Sequence, residues 1–413
     1  MGEGFLRLVS IQEAEAIIKA NVPMLEGFEV TPLMDASSKI LYENLYAPID
    51  LPPFDRALMD GYAVMAADTF RASEEEGVTL KVTGSLRAGD AEATAITSGE
   101  AVEIATGAPI PEGADAVIMV EQTEKGGDDI VTIYGSVAPG ENIQARGSDI
   151  RKGELLFPKG KVIASREIGA IAAVGLDRIK VVRKPRVAVI STGDELELPG
   201  KILGPGKIFD ANTYMIMTRL LDLGADAVFK GRVQDRYSEL LQAVRDAITE
   251  EFDIIILSGG TSAGRGDMLY RVVEDLGELL IHGVMIKPGK PFIFGVCDGI
   301  SLFGLPGYPV SAMITFERLI EPVIRDMVGI KPQKEEKVIA EAGKRIYSAR
   351  GRYEFMPVKL ENVDGSLRAL PVAGGSGAIK TLIDLDGYIA IEEEVEIIEE
   401  GEMVCVVKKD KFK

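Results

Sequence analysis

A chain of 413 residues exceeds what one hydrophobic core usually serves, which excludes a single small binding module and predicts three or four domains. Its 46% hydrophobic and 27% charged residues exclude global disorder. The formal charge of −19, from 46 Lys and Arg against 65 Asp and Glu, argues against non-specific binding of nucleic acid or an anionic membrane, yet permits small anions held by local cations and backbone N–H groups.

In chain order, MGEGFLRLVSIQEAEAII lacks a charged-then-apolar signal pattern, and no apolar run approaches the eighteen or so residues that span a bilayer. A cytoplasmic protein is therefore expected. Ser10 and Glu13 form a capping box that predicts a helix to about Ala20. From Val78 to Val137 the runs TLKVTG, EAVEIATG, AVIMVEQT and IVTIYGS alternate with Gly and Pro turns and predict a small all-β unit. Ser165 is the expected N-cap of the helix EIGAIAAV, which Gly175 ends.

From Arg186 the rhythm becomes strand, loop, helix. RVAVIS, AVFKGRV, FDIIILS and LLIHGVMI alternate with TYMIMTRLLDL, RYSELLQAVRDAITE and MLYRVVEDL, before a hairpin FIFGV/ISLFGL and one long helix, PVSAMITFERLIEPVIRDMVG. Near-continuous apolar strands between helices predict a mostly parallel, doubly wound sheet covered on both faces. Beyond Lys331 the pattern is again β, with a hairpin turning at Asp364 and Gly365.

Cys297 and Cys405 lie far apart in apolar runs and suggest neither a disulfide framework nor a zinc site. A single histidine, His282, excludes His-based triads and multi-histidine metal sites within one chain, so any metal would be hard and oxygen-bound. In open α/β sheets ligands bind beyond the carboxyl ends of the strands. There RVAVIS exits into Asp194 and Glu195, AVFKGRV into Gln234 and Asp235, FDIIILS into SGGTSAGRGDM, and ISLFGL into PGYPVS. The loop from Ser258 to Asp267 is neither a Walker A loop nor GxGxxG. Alone it reads equally well as a tight turn with Asp267 as N-cap or as an anion cradle, and the companion loops favour the cradle. Lys287 and Lys290 on the IKPGKP turn, with Arg265, suggest an oxyanion pocket; Asp235 and Asp267, with Asp194 or Glu195 near, suggest Mg²⁺ ligands. Each carboxylate taken singly is better read as a cap or a solvated surface group.

PPFDRALMDGYA, TGAPIPEGADAVIMVE, ENIQARGSDIRKG, VISTGDEL, GKIFDANTYM, DIIILSGGTSAGRGD, IKPGKPFIFG and GLPGYPVS, in this order, resemble the molybdopterin molybdenumtransferase family, MoeA and the gephyrin E domain. The resemblance covers essentially the whole chain. It implies an elongated domain in two parts (1–47 and 142–183), a β-rich domain inserted between them (48–141), the doubly wound molybdopterin-binding domain (184–329) and a C-terminal β-barrel (330–413). It implies a homodimer that moves molybdenum from molybdate, or tungstate, to adenylylated molybdopterin, with Mg²⁺-dependent release of AMP. The adenylylated substrate would come from a separate molybdopterin adenylyltransferase by a possible transfer contact.

By family pattern Asp235 and Asp267 would serve Mg²⁺ and hydrolysis, with Glu195, Asp60, Thr106 and Asp149 completing the catalytic set. Ser258, Gly259, Gly260, Ser262, Gly264, Pro306 and Gly307 would contact molybdopterin. Lys287, Lys290, Ser311, Arg352 and Ser376 would hold the oxyanion. Two positions depart from the usual pattern: Arg265 stands where many relatives have an acid, and Tyr308 where Asn is usual. A non-enzymatic molybdopterin-binding scaffold of the gephyrin type is the alternative; it need not keep these acids and lysines.

Overall fold

The computed structural model describes residues 8–90, 95–127, 129–261, 268–330, 335–363 and 365–409. They form two compact units, residues 29–181 and residues 1–28 with 182–413.

In the first unit, strands Ala116–Met119, Gly61–Val64, Glu100–Ile104, Val78–Leu86, Ile130–Ile133 and Thr123–Lys125 lie in that order in one mixed sheet. Neighbouring residues feed different cores: Tyr62 and Val64 join one cluster while Ala63 joins another, and Ile118 and Val117 divide likewise. Burial on both faces accounts for the lack of polar alternation in AVIM. A third cluster joins Leu33, Ala36 and Leu41 to Ile163, Ile171 and Val181, segments that flank the sheet in sequence. The helix here is Ser165–Ala173, so Ser165 is its first residue and not the expected N-cap. The cap position is Ala164, whose N–H donates to the Glu167 carboxylate at 3.1 Å, so the acid one turn in supplies the missing acceptor.

In the second unit the helix Ile11–Asn21 begins with the expected capping box: the Glu13 N–H donates to Ser10 Oγ at 3.2 Å, and the Ser10 N–H donates to Glu13 Oε2 at 2.9 Å. Its Ile11, Ala14 and Ile18 bury against the central α/β core. That core surrounds a sheet ordered Asp226–Val233, Arg186–Thr192, Ile254–Ser258, Ile300–Leu305, Ile293–Cys297, Gly277–His282. The first four strands are parallel. Ile293–Cys297 runs against both its neighbours, so Gly277–His282 returns to the common direction. Val187, Val189 and Ile256 feed one cluster, and Ala188, Ile190 and Ile255 the other. Helix Asn212–Asp222 covers the first face; helices Tyr237–Thr249 and Leu269–Leu276 cover the second.

The long helix expected after Pro309 is interrupted. It runs as Pro309–Thr315, a π-helical turn Phe316–Ile320, then Glu321–Val328. Pro322 has no N–H to donate and its ring crowds the carbonyl four residues back, so the preceding turn widens.

Beyond it, Tyr353–Val363, Ser366–Pro371, Lys337–Ala342, Met403–Lys408 and Gly387–Ile391 pair in succession, and the first and last pair with each other, closing a five-stranded barrel. Val363 opposes Ser366, and Gly365 adopts φ +85°, as the expected two-residue hairpin turn requires; Asp364 lies outside the described residues. The Arg318 guanidinium lies 4.9 and 4.8 Å from the rings of Phe355 and Tyr388, joining helix to barrel by cation–π contact.

Both thiols are free: Cys297 is fully buried and Cys405 exposed. Burial pushes the Cys297 thiol up to about 12. Iodoacetamide at pH 8 should therefore label the folded protein at Cys405 alone and reach Cys297 only on unfolding, an outcome read by peptide mass mapping.

Candidate functional site

The shared strand direction puts the ends of Arg186–Thr192, Asp226–Val233, Ile254–Ser258, Ile300–Leu305 and Gly277–His282 on one rim. Buried Thr192 ends the first of these strands, and its hydroxyl donates a short hydrogen bond to Oδ1 of half-buried Asp235, two residues past the neighbouring strand. That bond fixes the direction of the Asp235 carboxylate. Glu195 and Asp194 follow Thr192 as exposed residues.

Ser258 turns directly into Gly259, which holds φ +100°. A Cβ there would overlap the Thr192 carbonyl oxygen, and the Gly259 N–H donates to the Leu305 carbonyl at 3.1 Å. Gly260 also holds a left-handed φ, +66°, and a Cβ on it would come within 3.9 Å of the Asp235 carboxylate. The glycines are therefore needed locally, whatever they bind. Ser262, Gly264, Arg265 and Asp267 lie outside the described residues.

Asn212, in the first turn of its helix, ties the rim together. Its Nδ2 donates to Ser258 Oγ at 3.0 Å and to the Gly307 carbonyl at 2.9 Å, while its Oδ1 is buried with no partner among the described residues. An amide oxygen left in this state beside two ligand-type loops is a ready acceptor for a donor group or a water. Pro306 and Gly307 lead into the helix that buries Ser311 in its first turn. The Val310 N–H donates to the Ser376 carbonyl at 3.1 Å, which docks the glycine turn Gly374–Gly377 beside that helix end.

The Lys287–Lys290 turn packs on the same helix: Gly289 holds φ +119°, and a Cβ there would strike Thr315 Oγ1. Lys287 pairs with Glu354 Oε1 at 2.9 Å, and Glu354 is only 3% exposed, its other oxygen accepting from Ser348 Oγ at 2.8 Å. Arg352 is half-buried two residues before Glu354.

Asp60, Thr106 and Asp149 belong to the unit of residues 29–181. Asp60 accepts from the Thr106 N–H at 2.6 Å and from its hydroxyl at 2.8 Å. Those bonds, the backbone one foremost, hold its carboxyl below the usual carboxylate range. The pair is exposed, and Leu58 and Met59 beside it are each 46% exposed, so these apolar neighbours do not bury the acid. Asp149 is exposed on a turn where its N–H donates to the Leu51 carbonyl at 3.0 Å.

Mg²⁺ keeps several waters and needs one or two carboxylates beside substrate phosphates. Asp235 offers one such oxygen donor. Among the described residues no group of three or more His, Cys, Asp or Glu converges, and a single carboxylate of this kind fits a Mg²⁺ held chiefly by substrate phosphates and water.

Three family models match the chain in order: the MoeA N-terminal region (domain I and II) over residues 9–175, a "Probable molybdopterin binding domain" over 188–326, and the MoeA C-terminal region (domain IV) over 340–409. A molybdopterin molybdenumtransferase of Haemophilus influenzae is 33% identical over 402 residues, covering 97% of this chain and 98% of the relative. The chain belongs to the molybdopterin molybdenumtransferase (MoeA) family. Another family member, from Bacillus subtilis, is 32% identical over 386 residues, covering 92% of this chain and 89% of the relative. A solved molybdopterin biosynthesis MoeA protein from Pyrococcus horikosii superposes with a TM-score of 0.82 at 39% identity, covering 97% of this chain and 99% of that one.

The MoeA fold thus brings Asp235, Ser258, Gly259, Gly260, Pro306, Gly307 and Ser311 to one rim. Sequence reasoning did not single out Thr192, Asn212 or Glu354. Thr192 and Asn212 are commonplace at a strand end and a helix start; Glu354 sits in an ordinary strand pattern. Each acquires its role only from its partner. No helix of the described residues is long and apolar enough to cross a membrane.

Proposed function

We propose that this chain transfers molybdenum from molybdate, or tungstate, to the dithiolene of adenylylated molybdopterin, with Mg²⁺-dependent release of AMP. The observation that carries this reading is the rim itself: a fixed carboxylate at Asp235 and two glycine turns bridged by Asn212 at the start of the helix Pro309–Thr315, with the Lys287–Lys290 turn packed on the same helix at Thr315. Neutralising an oxyanion and a pyrophosphate is the main electrostatic task, and the residue types suit it. Mg²⁺, when bound, would draw charge from the pyrophosphate, with Asp235 and Asp267 as its protein ligands. Asp235 is oriented for this by Thr192.

Gly259 and Gly260 let the backbone approach the substrate, and Ser258, Ser262, Gly264, Pro306 and Gly307 line its path. Lys290, Arg352, Ser311 and Ser376 hold the oxyanion together with Lys287, whose charge is already shared with Glu354. Glu195, Asp60, Thr106 and Asp149 complete the catalytic set; the family resemblance supports a cytoplasmic homodimer in which a second copy contributes Asp60 and Thr106. It also supports delivery of the substrate by a molybdopterin adenylyltransferase. The deciding experiment incubates the protein with adenylylated molybdopterin, Mg²⁺ and molybdate and quantifies AMP and finished cofactor; absence of both products overturns the reading.

The cation assignment has its own test. Lys287→Ala, Lys290→Ala and Arg352→Ala should each weaken molybdate binding by calorimetry, and added salt should weaken the wild type. Unchanged affinity in all three removes the assignment. Lys287→Ala should also cost about 2 kcal/mol of stability, less than a fully buried pair because the lysine side chain is 42% exposed. Adding Glu354→Gln should restore most of that loss by removing the stranded charge.

A further inference from the structure

We propose that Tyr308 is a stacking platform for a fused nitrogen heterocycle of the bound substrate, the pterin or the adenine. The inference rests on the reading of the rim given above and adds a specificity-determining residue to it.

Tyr308 is 65% exposed although it stands at the centre of the rim. Its backbone is fixed on both sides: the Gly307 carbonyl accepts from Asn212, and the Tyr308 carbonyl accepts from the Ala312 N–H at 2.8 Å in the first helical turn. The ring is backed by the barrel-side turn, where a Cβ on Gly377 would come 3.3 Å from Cδ1. Gly377 therefore leaves room for the ring against its backbone, while much of the ring remains open to solvent. Directly before the ring, Gly307 has no left-handed φ, and among the described residues no atom outside its chain neighbours lies within 4 Å of where a Cβ would stand, so the turn that carries the ring opens on space. A held, solvent-open aromatic ring beside such space, next to two glycine turns suited to phosphate, matches a nucleotide-like ligand whose phosphates sit on the turns and whose base lies on the ring.

Calorimetric titrations with molybdopterin and, separately, with AMP should use the full-length wild type, Tyr308→Phe and Tyr308→Ala. The phenyl ring should keep affinity within about twofold, whereas the alanine variant should bind about tenfold more weakly, the typical effect of losing one base–aromatic stack. The deficit should persist at high salt, because stacking is not an ionic contact. A loss confined to the AMP arm places adenine on the ring, and one confined to the molybdopterin arm places pterin there. Wild-type binding with an unchanged alanine variant overturns the stacking role alone. A wild type that binds neither ligand overturns the reading of the rim, and the platform with it.

Discussion

Replacing Asp235 by Asn should lower AMP release from adenylylated molybdopterin by about 100- to 1000-fold, the range seen when one preorganised charge-stabilising group is removed from an active site. The substitution keeps the shape and still allows the Thr192 hydroxyl an acceptor, so the fold should survive. What disappears is the negative charge that a hard cation requires. The dependence on Mg²⁺ should change with the rate: the variant should need more Mg²⁺ for half-maximal activity. Asp267→Asn should behave alike, since the same chemistry assigns it to the same ion. If both variants released AMP at the wild-type rate with an unshifted Mg²⁺ requirement, neither carboxylate would serve the metal, and Glu195 and Asp194 would be the next to test.

Gly259→Ala should destabilise the protein by roughly 2 to 5 kcal/mol, combining about 1–2 kcal/mol for a left-handed φ with about 1–3 kcal/mol for overpacking. The methyl group would overlap the Thr192 carbonyl, and relief requires moving either the strand end or the turn. Moving the turn breaks the bond from the Gly259 N–H to the Leu305 carbonyl, and with it the relation between the two glycine turns. Molybdopterin binding should therefore be lost together with stability. Gly307→Ala is the informative contrast. Neither φ nor space restrains that position, so unfolding in urea should shift by less than about 0.5 kcal/mol. Its affinity for molybdopterin should nevertheless fall several-fold, because the added methyl occupies the space assigned to substrate. A Gly307→Ala protein with normal affinity would place the substrate elsewhere, and a Gly259→Ala protein of full stability would contradict the geometry of the turn.

Both experiments separate glycines that look alike in sequence. SGG and PGY are each a short break after an apolar run, and composition ranks them together. The structure distinguishes them by backbone and by neighbour: Gly259 holds φ +100° under the Thr192 carbonyl, and Gly307 has neither constraint.

The elements that local spacing encodes are legible in the sequence itself. Apolar runs such as RVAVIS and FDIIILS announce strands buried on both faces, Ser10 with Glu13 announces a helix start, and the two-residue turn ending in Gly365 announces a hairpin. These follow from periodicity, caps and turn chemistry, which act over a few residues. The doubly wound sheet follows from the same patterns taken in order, and so do the loops that leave its strand ends. The break at Pro322 and the start at Ala164 were misread because each depends on which carbonyl or N–H lies one turn away.

Which side chains meet is decided by tertiary structure alone. Thr192 and Asp235 are 43 residues apart, Asn212 reaches 46 residues to Ser258 and 95 to Gly307, and Lys287 finds its counter-ion 67 positions on at Glu354. Such pairs arise because strand order and register bring distant strand ends to one rim, and because a barrel strand pairs beside Ile286–Lys287. Residue type and local spacing carry the chemistry that each group is capable of; packing sets which charge is already paired, which carboxylate is aimed and which ring is left open.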